Sequence, residues 1–486
     1  MPDRRPNVVL LMTDQQRWDT VGCAGGPVET PNLDWLASRG TRFTSAYSAT
    51  PSCIPARASL MTGQDPWHTG ILGMGPRQPR CGNLGNTLPQ VLADDGYYTV
   101  GVGKMHFSPQ RSHQGFHHTV IDETARQEDP DFSSDYASWF RSVAPAGSDR
   151  FEHGIDVNSW MARPFTLAEH LHATNWTAMT GIQELQRRDP SKPFFLKLSF
   201  ARPHSPYDPP PYYFDLYDRR ELPPAAIGSW AGINDVPSDA ADPNAWRGRR
   251  TDEEIHRARA GYYGSIMHID HQIGRFMIEM RRSQLIDNTI FVFTSDHGDM
   301  LGDHHLWRKT YAYEGSAHVP MIVTLPASMR GGVSASSDAP VTLQDIMPTI
   351  LDGCGIEIPD SVDGRSLIGE CRGDASGRRE FIHGEHSICY HPSQEMQYLT
   401  DGKWKYIWFP RTGVEQLFDL TSDRYECVDL AASAEHRDEL SIWRSRLVGI
   451  LSARDAGLTS NGQLVRQDDQ PALRSPAADL RTTIFY

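Results

Sequence analysis

Short apolar runs, each closed by polar or turn-forming positions, recur along this chain. Asn7–Met12, Tyr98–Val102, Pro193–Phe200, Thr289–Thr294 and Pro320–Leu325 have strand length and few charges, the pattern of strands buried on both faces. Helical periodicity fills much of the space between them. The clearest helix starts after Thr251, where Thr251 and Glu254 are spaced as a capping box. Its apolar stripe passes through Ile255, Ala258, Tyr262, Ile266, Ile269, Ile273, Phe276 and Met280 in steps of three and four. His268 and His271 fall off that stripe and are expected to be solvated, or to support other groups, rather than to bind a metal.

This alternation predicts an α/β fold with a large central, mostly parallel sheet flanked by helices on both faces. After the glycine-rich stretch from Gly369 to Gly377 the texture changes. Phe381–Glu385, Met396–Leu399, Trp404–Phe409 and Gln416–Leu420 read as short antiparallel strands, with Asp401-Gly402 as a turn. A helix from about Ala434 to Ala453 follows. The expected organisation is a main domain over 1–377, a smaller C-terminal α+β subdomain over 378–455, and a polar tail over 456–486. Pro109–Arg163 and Pro206–Trp246 lack regular periodicity. Such long loops are either pocket walls and lids or peripheral decoration.

Composition narrows the classes. A chain of 486 residues buries enough surface to need no disulfide staples. Its net charge of −14 disfavours nucleic acid and anionic membranes as partners. No apolar run has membrane-spanning length, and the N-terminus shows neither a long apolar region nor a small-residue cleavage site. A soluble, cytoplasmic protein is the expectation. Seven scattered cysteines, never spaced C-x-x-C, argue against a disulfide framework or a zinc ribbon.

Three strand tips end in groups suited to a cation. They are Asp14 with Gln15, Asp296 with His297, and Arg202-Pro203-His204. Ligands of open α/β sheets bind beyond the carboxyl ends of strands. Asp14, Gln15, Asp296 and His297 could therefore hold one divalent ion with open positions, although caps and turns also use an Asp after a strand.

Cys53-Ile54-Pro55-Ala56-Arg57 is the sharpest signal. Alone it also reads as a buried structural cysteine ahead of a helix begun by Pro55. This C-x-P-x-R segment resembles the type I sulfatase signature, and other segments match that family in order over roughly residues 7–430. They are Asn7–Asp14, Thr30-Pro31-Asn32-Leu33-Asp34, Gly103-Lys104-Met105-His106, Arg202-Pro203-His204-Ser205-Pro206, Ser295-Asp296-His297-Gly298, Gly302–Lys309 and Asp363-Gly364-Arg365-Ser366-Leu367.

The resemblance implies an alkaline-phosphatase-like fold and cleavage of a sulfate monoester. It further implies that a formylglycine-generating or other sulfatase-maturing enzyme oxidises Cys53 to formylglycine, whose hydrate attacks sulfur and which also touches the metal. Arg57, one helical turn on, would steady nucleophile and metal. Lys104 and Lys309 would clamp the sulfate, His204 would protonate the leaving group with help from Lys309, and His106 would accept the proton that releases sulfate. Asp363 and Arg365 either contact the alcohol part of the substrate or hold a turn. His304 and His305 are read as structural. The implied substrate is a small sulfated carbohydrate, such as a 6-O-sulfated hexosamine, or an aryl sulfate.

Two departures from the common family pattern bear on the ion: Gln15 stands where a second aspartate is frequent, and His297 where asparagine is. Calcium is the expected ion, with manganese or magnesium admitted by the imidazole. Phosphonate monoester and phosphodiester hydrolases share the scaffold and form the rival enzymatic reading. A catalytically silent binder of sulfated glycans is the rival of another class. The sequence does not indicate an oligomeric state.

Overall fold

The computed structural model describes residues 5–75, 77–123, 131–237, 239, 242–330 and 335–481. Parts of both long loops and the end of the tail (482–486) lie outside them. Eight strands form the main sheet: β1 (Asn7–Asp14), β2 (Thr41–Tyr47), β3 (Tyr98–Gly103), β4 (His118–Ile121), β5 (Phe194–Pro203), β6 (Thr289–Ser295), β7 (Met321–Thr324) and β8 (Ser336–Thr342). Their order is β4-β3-β5-β1-β6-β7-β2-β8. Every pairing is parallel except the two made by β7. The expected parallel sheet is therefore interrupted by one reversed strand. Its residues fall in the Pro320–Leu325 run.

β1 lies at the centre, and its side chains alternate between two cores. Val8, Leu10 and Met12 pack with the buried helix α2 (Cys53–Thr62). Val9 and Leu11 pack with α1 (Pro31–Ser38) and the Asp252–Arg282 helix. Burial on both faces is why β1 reads as an unbroken apolar run. Among the described residues, no helix is long and apolar enough to cross a membrane.

A second, antiparallel sheet contains β9 (Ile382–His386), β10 (Met396–Thr400), β11 (Trp404–Phe409) and β12 (Val414–Asp419). The Arg437–Ser452 helix covers it through Leu440, Trp443, Leu447 and Leu451. All seven cysteines are free.

The Asp252–Arg282 helix gives His268 the second of its two expected roles, support of another group. Its Thr251–Glu254 capping box is present, but His268 is fully buried rather than solvated. Its Nε2 meets Asn175 Oδ1, and its ring stacks on Tyr213 at 4.8 Å. Helices Ala173–Arg187 and Pro211–Asp218 cover what the apolar stripe alone leaves outside.

Strand register places the site. Met12 pairs with Ser199 and Thr294, Asp14 with Pro203, Thr13 with Ser295, and Gly103 with Ser199. Asp14, Lys104, His204 and Asp296 consequently reach the same carboxyl edge of the sheet. Gly103 is required for the β3 exit: its φ is +92°, and a Cβ there would stand 2.1 Å from the Ser199 carbonyl oxygen.

Candidate active site

Cys53 occupies the first position of α2, after Ser52 in extended conformation (φ −155°, ψ 157°). Pro55 is tolerated because amide hydrogens of a first helical turn have no intrahelical partner. α2 is buried along its whole length and ends on Gly63 in the left-handed region. The Cys53 side chain thus stands fixed at the bottom of a cavity of about 310 Å³ at the sheet edge.

Around the Cys53 sulfur lie His297 Nε2 at 3.2 Å, Asp14 Oδ1 at 3.6 Å and Lys104 Nζ at 3.9 Å. Asp14, Cys53, Asp296 and His297 each offer one donor atom, and these atoms lie within 4.8 Å of one another. His297 Nδ1 is 2.9 Å from the Gly298 carbonyl oxygen. That contact requires Nδ1–H and leaves the Nε2 lone pair for the cluster in the neutral ring. Two carboxylates and one imidazole make a mixed oxygen–nitrogen donor set that fits a divalent cation.

Arg57, one turn below Cys53, ties the cluster together. Its Nε donates to Asp296 Oδ2 at 2.8 Å and its Nη2 to Asp14 Oδ2 at 2.9 Å. Its Nη1 donates to the Lys104 carbonyl and to Ser199 Oγ. Lys104 Nζ adds a second ion pair to Asp14 at 2.8 Å. Burial pushes the Asp14 carboxyl up, but the neighbouring Lys104 and Arg57 cations hold it well below the usual range. For the Cys53 thiol, burial and Asp14 act upward, yet Lys104, Lys309 and His297 outweigh them and lower it.

Lys309 and His204 form a second buried pair. Lys309 Nζ lies 2.6 Å from His204 Nε2 and donates to Gln15 Oε1 at 2.9 Å. His204 Nδ1 faces the Ser205 carbonyl oxygen at 2.9 Å. Burial, then Lys309 and Lys104, hold this imidazole far below its ordinary pKa, so it is neutral and accepts from the ammonium. Gln15 (φ 71°) turns its amide nitrogen to Asp299 and its oxygen to Lys309. His106 also lines the cavity. Its backbone is left-handed (φ 64°), and Glu123 Oε1 accepts its N–H at 2.6 Å and that of Met105 at 2.9 Å.

Two sequence candidates do not join this group. Asp363 Oδ2 pairs with His68 at 2.7 Å and accepts the Asp65 N–H, while the Asp363 N–H donates to Gly63 at the far end of α2. Ten helical residues separate that end from Cys53 by about 15 Å. The Arg365 N–H donates to Asp345 and its side chain to the Gly377 carbonyl. Both hold a turn, and neither lines the cavity. His304 accepts from the Gly228 N–H, and Asp303 beside it pairs with Arg17 and Arg259, so this histidine is structural. Residues overlooked in the sequence include Glu123, Arg308, Cys389 and Tyr390, all on the cavity wall. Glu123 stands two positions beyond Val120-Ile121 as Asp14 stands two beyond Met12, but a four-residue strand with two apolar positions gives little signal in the sequence.

The family model described as Sulfatase matches residues 6–356, and that of the N-sulphoglucosamine sulphohydrolase C-terminal region matches residues 302–450. An arylsulfatase of Clostridium perfringens is 42% identical over 474 residues, covering 95% of this chain and 98% of its own. A choline-sulfatase of Rhizobium meliloti is 29% identical, covering 89% and 83%. Among solved structures, a phosphonate monoester hydrolase of Agrobacterium radiobacter superposes with a TM-score of 0.77 at 25% identity, covering 95% and 100%.

Proposed function

Since this chain belongs to the sulfatase family of sulfate-ester hydrolases, we propose that it cleaves a sulfate monoester of a small aryl or carbohydrate alcohol, using a formylglycine made from Cys53 and a divalent cation. The observation that carries this reading is the Cys53 sulfur at the base of the cavity, ringed by His297, Asp14 and Lys104. That sulfur marks where an oxygen of the formylglycine hydrate would sit.

The hydrate supplies a hydroxyl nucleophile in place of the thiol. Asp14, Asp296 and His297 would hold the cation, whose chemistry is to polarise sulfate oxygens and favour ionisation of that hydroxyl. The two carboxylates suit calcium, manganese or magnesium, and the imidazole favours manganese among them. Gln15 adds an amide oxygen to the cavity, already engaged by Lys309.

The chain's own groups divide the remaining work. Lys104 and Lys309 place two ammonium charges where the nonbridging oxygens gather negative charge, in a buried setting that strengthens the attraction. Arg57 holds the Asp14 and Asp296 carboxylates in orientation through one ion pair to each. His204, bonded at Nε2 to Lys309 Nζ, would protonate the departing oxygen, with Lys309 assisting. His106, fixed by Glu123, stands on the cavity wall to accept the proton whose loss frees sulfate.

Likeness to the phosphonate monoester hydrolase supports phosphonate ester hydrolysis as the second reading on this scaffold. Peptide mass spectrometry of protein produced with a sulfatase-maturing enzyme tests the proposal. The Cys53 peptide is expected to have lost hydrogen sulfide and gained one oxygen, and to react with a hydrazide. Full turnover by protein with a wholly unmodified thiol would overturn it.

A further inference from the structure

Beyond the sulfate end, the cavity continues between Arg308, Met74, Cys389 and Tyr390. Arg308 has a left-handed backbone (φ 68°), pinned by its N–H bond to Asp299 Oδ1 at 2.9 Å. Its guanidinium carbon lies 4.6 Å over the Tyr390 ring, and Tyr390 stacks on Trp246 at 6.0 Å with 13° between planes. One Nη donates to the Asn244 carbonyl at 3.1 Å, while Nε is buried without a partner. No carboxylate forms an ion pair with this guanidinium among the described residues. Asp299 accepts from Gln15, Tyr207, Leu301 and the Arg308 backbone instead.

An anchored, half-buried cation without a counter-ion is costly unless an anion is brought to it. Lys309, the next residue, is committed to Gln15 and His204. The wall carboxylate of Glu123 is bonded to Met105 and His106, on the Lys104 side. A neutral aryl or alkyl leaving group could meet Tyr390 but would leave the Arg308 guanidinium without an anion.

We infer that the alcohol part of the substrate carries a second anionic group, a carboxylate or a second sulfate, which pairs with Arg308 while its ring lies against Tyr390. A guanidinium fork matches either planar or tetrahedral oxyanions through paired hydrogen bonds. The inference rests on the sulfate-ester reading of the site.

The test compares kcat/KM for 4-carboxyphenyl sulfate, its methyl ester, and 1,4-phenylene disulfate on enzyme whose Cys53 has been converted. Each dianion that fits Arg308 is expected to exceed the neutral ester by about tenfold or more, and the larger ratio identifies the group. Arg308→Gln should bring that ratio close to one, while Arg308→Lys retains part of it. A wild-type ratio near one for both dianions, or a ratio unchanged in Arg308→Gln, would overturn the inference. Turnover of none of the esters would refute the sulfate-ester reading instead. Calorimetric binding of 4-carboxyphenyl sulfate and its methyl ester to Cys53→Ala protein, with and without Arg308→Gln, then decides on Arg308 by the same ratio.

Discussion

Lys309 Nζ and His204 Nε2 lie 2.6 Å apart, with both residues buried. Burial, reinforced by this ammonium, holds the imidazole neutral, and in the proposed reaction the pair would protonate the leaving oxygen. A leaving group of low basicity needs little of this help. We therefore expect His204→Gln to lower kcat on alkyl or sugar sulfates by roughly 10²- to 10⁴-fold, and much less on nitrophenyl sulfate. A plot of log kcat against leaving-group pKa should steepen in the variant; parallel lines for variant and wild type would remove His204 from this role.

Cation removal should stop turnover without unfolding the protein. Asp14 and Asp296 keep Arg57 and Lys104 as counter-ions when the cation is gone, so no carboxylate of the cluster is left unpaired. After chelation, activity is expected to vanish while circular dichroism stays native. Stepwise return of calcium, manganese or magnesium should raise Tm in proportion to ln(1 + [ion]/Kd). His297→Ala should weaken that rise, because it deletes the nitrogen donor.

Glu123 is a positioning residue for His106. Its Oε1 accepts two successive amide hydrogens and holds a histidine at φ 64°, a conformation unfavourable for a residue with a Cβ. Glu123→Gln keeps an accepting oxygen and should leave kcat within about threefold, whereas Glu123→Ala should lower it about ten- to hundredfold with a smaller change in KM. Equal losses in both variants would show that charge, rather than the accepted hydrogen bonds, matters.

A buried cluster between the two sheets predicts a specific pH dependence of stability. Lys405 Nζ meets Glu314 at 2.6 Å and Glu426 at 2.8 Å, and Glu314 also holds His318 at 2.6 Å. Burial and the Glu314 charge push Glu426 up to about 7, against the pull of Lys405. A carboxyl with a raised folded-state pKa stabilises most below its unfolded value of about 4.3 and loses that contribution as pH climbs through 7. The ceiling is ~4 kcal/mol. Glu426→Gln stays neutral throughout, so its Tm should be close to wild type at pH 5 and exceed it at pH 8. A constant gap across that range would place the titration elsewhere.

How much of this was legible in the sequence depended on distance along the chain. β1, β3, β5 and β6 are legible because burial on both faces makes them mostly apolar, with Lys197 the one charge inside them before the strand tips. β2 and β8 did not, since Thr41–Tyr47 carries Arg and Thr, and Ser336–Thr342 includes Asp338 and Pro340, as suits strands at or beside an edge. β4 spans only four residues. Asp14, Asp296 and His297 were readable as strand tips, and Cys53 with Arg57 as one helical turn. Ser199 as a partner of Arg57, and Tyr390 as a support for Arg308, were not, because those contacts cross 142 and 82 positions and exist only once the sheet has assembled. Asp363 and Arg365 show the converse: motif position leaves substrate contact and a turn role both open, and the structure gives the turn, with Asp363 bonded to the end of α2 and Arg365 to Asp345 and Gly377.

The central claim is that a nucleophile derived from Cys53 cleaves sulfate esters in this cavity. Side-by-side kcat/KM values on an aryl sulfate and the matching aryl phosphonate monoester, for converted enzyme and for Cys53→Ala, test it most directly. The account predicts a clear preference for the sulfate ester and its loss in Cys53→Ala; preference for the phosphonate, or undiminished sulfate turnover without Cys53, would contradict it.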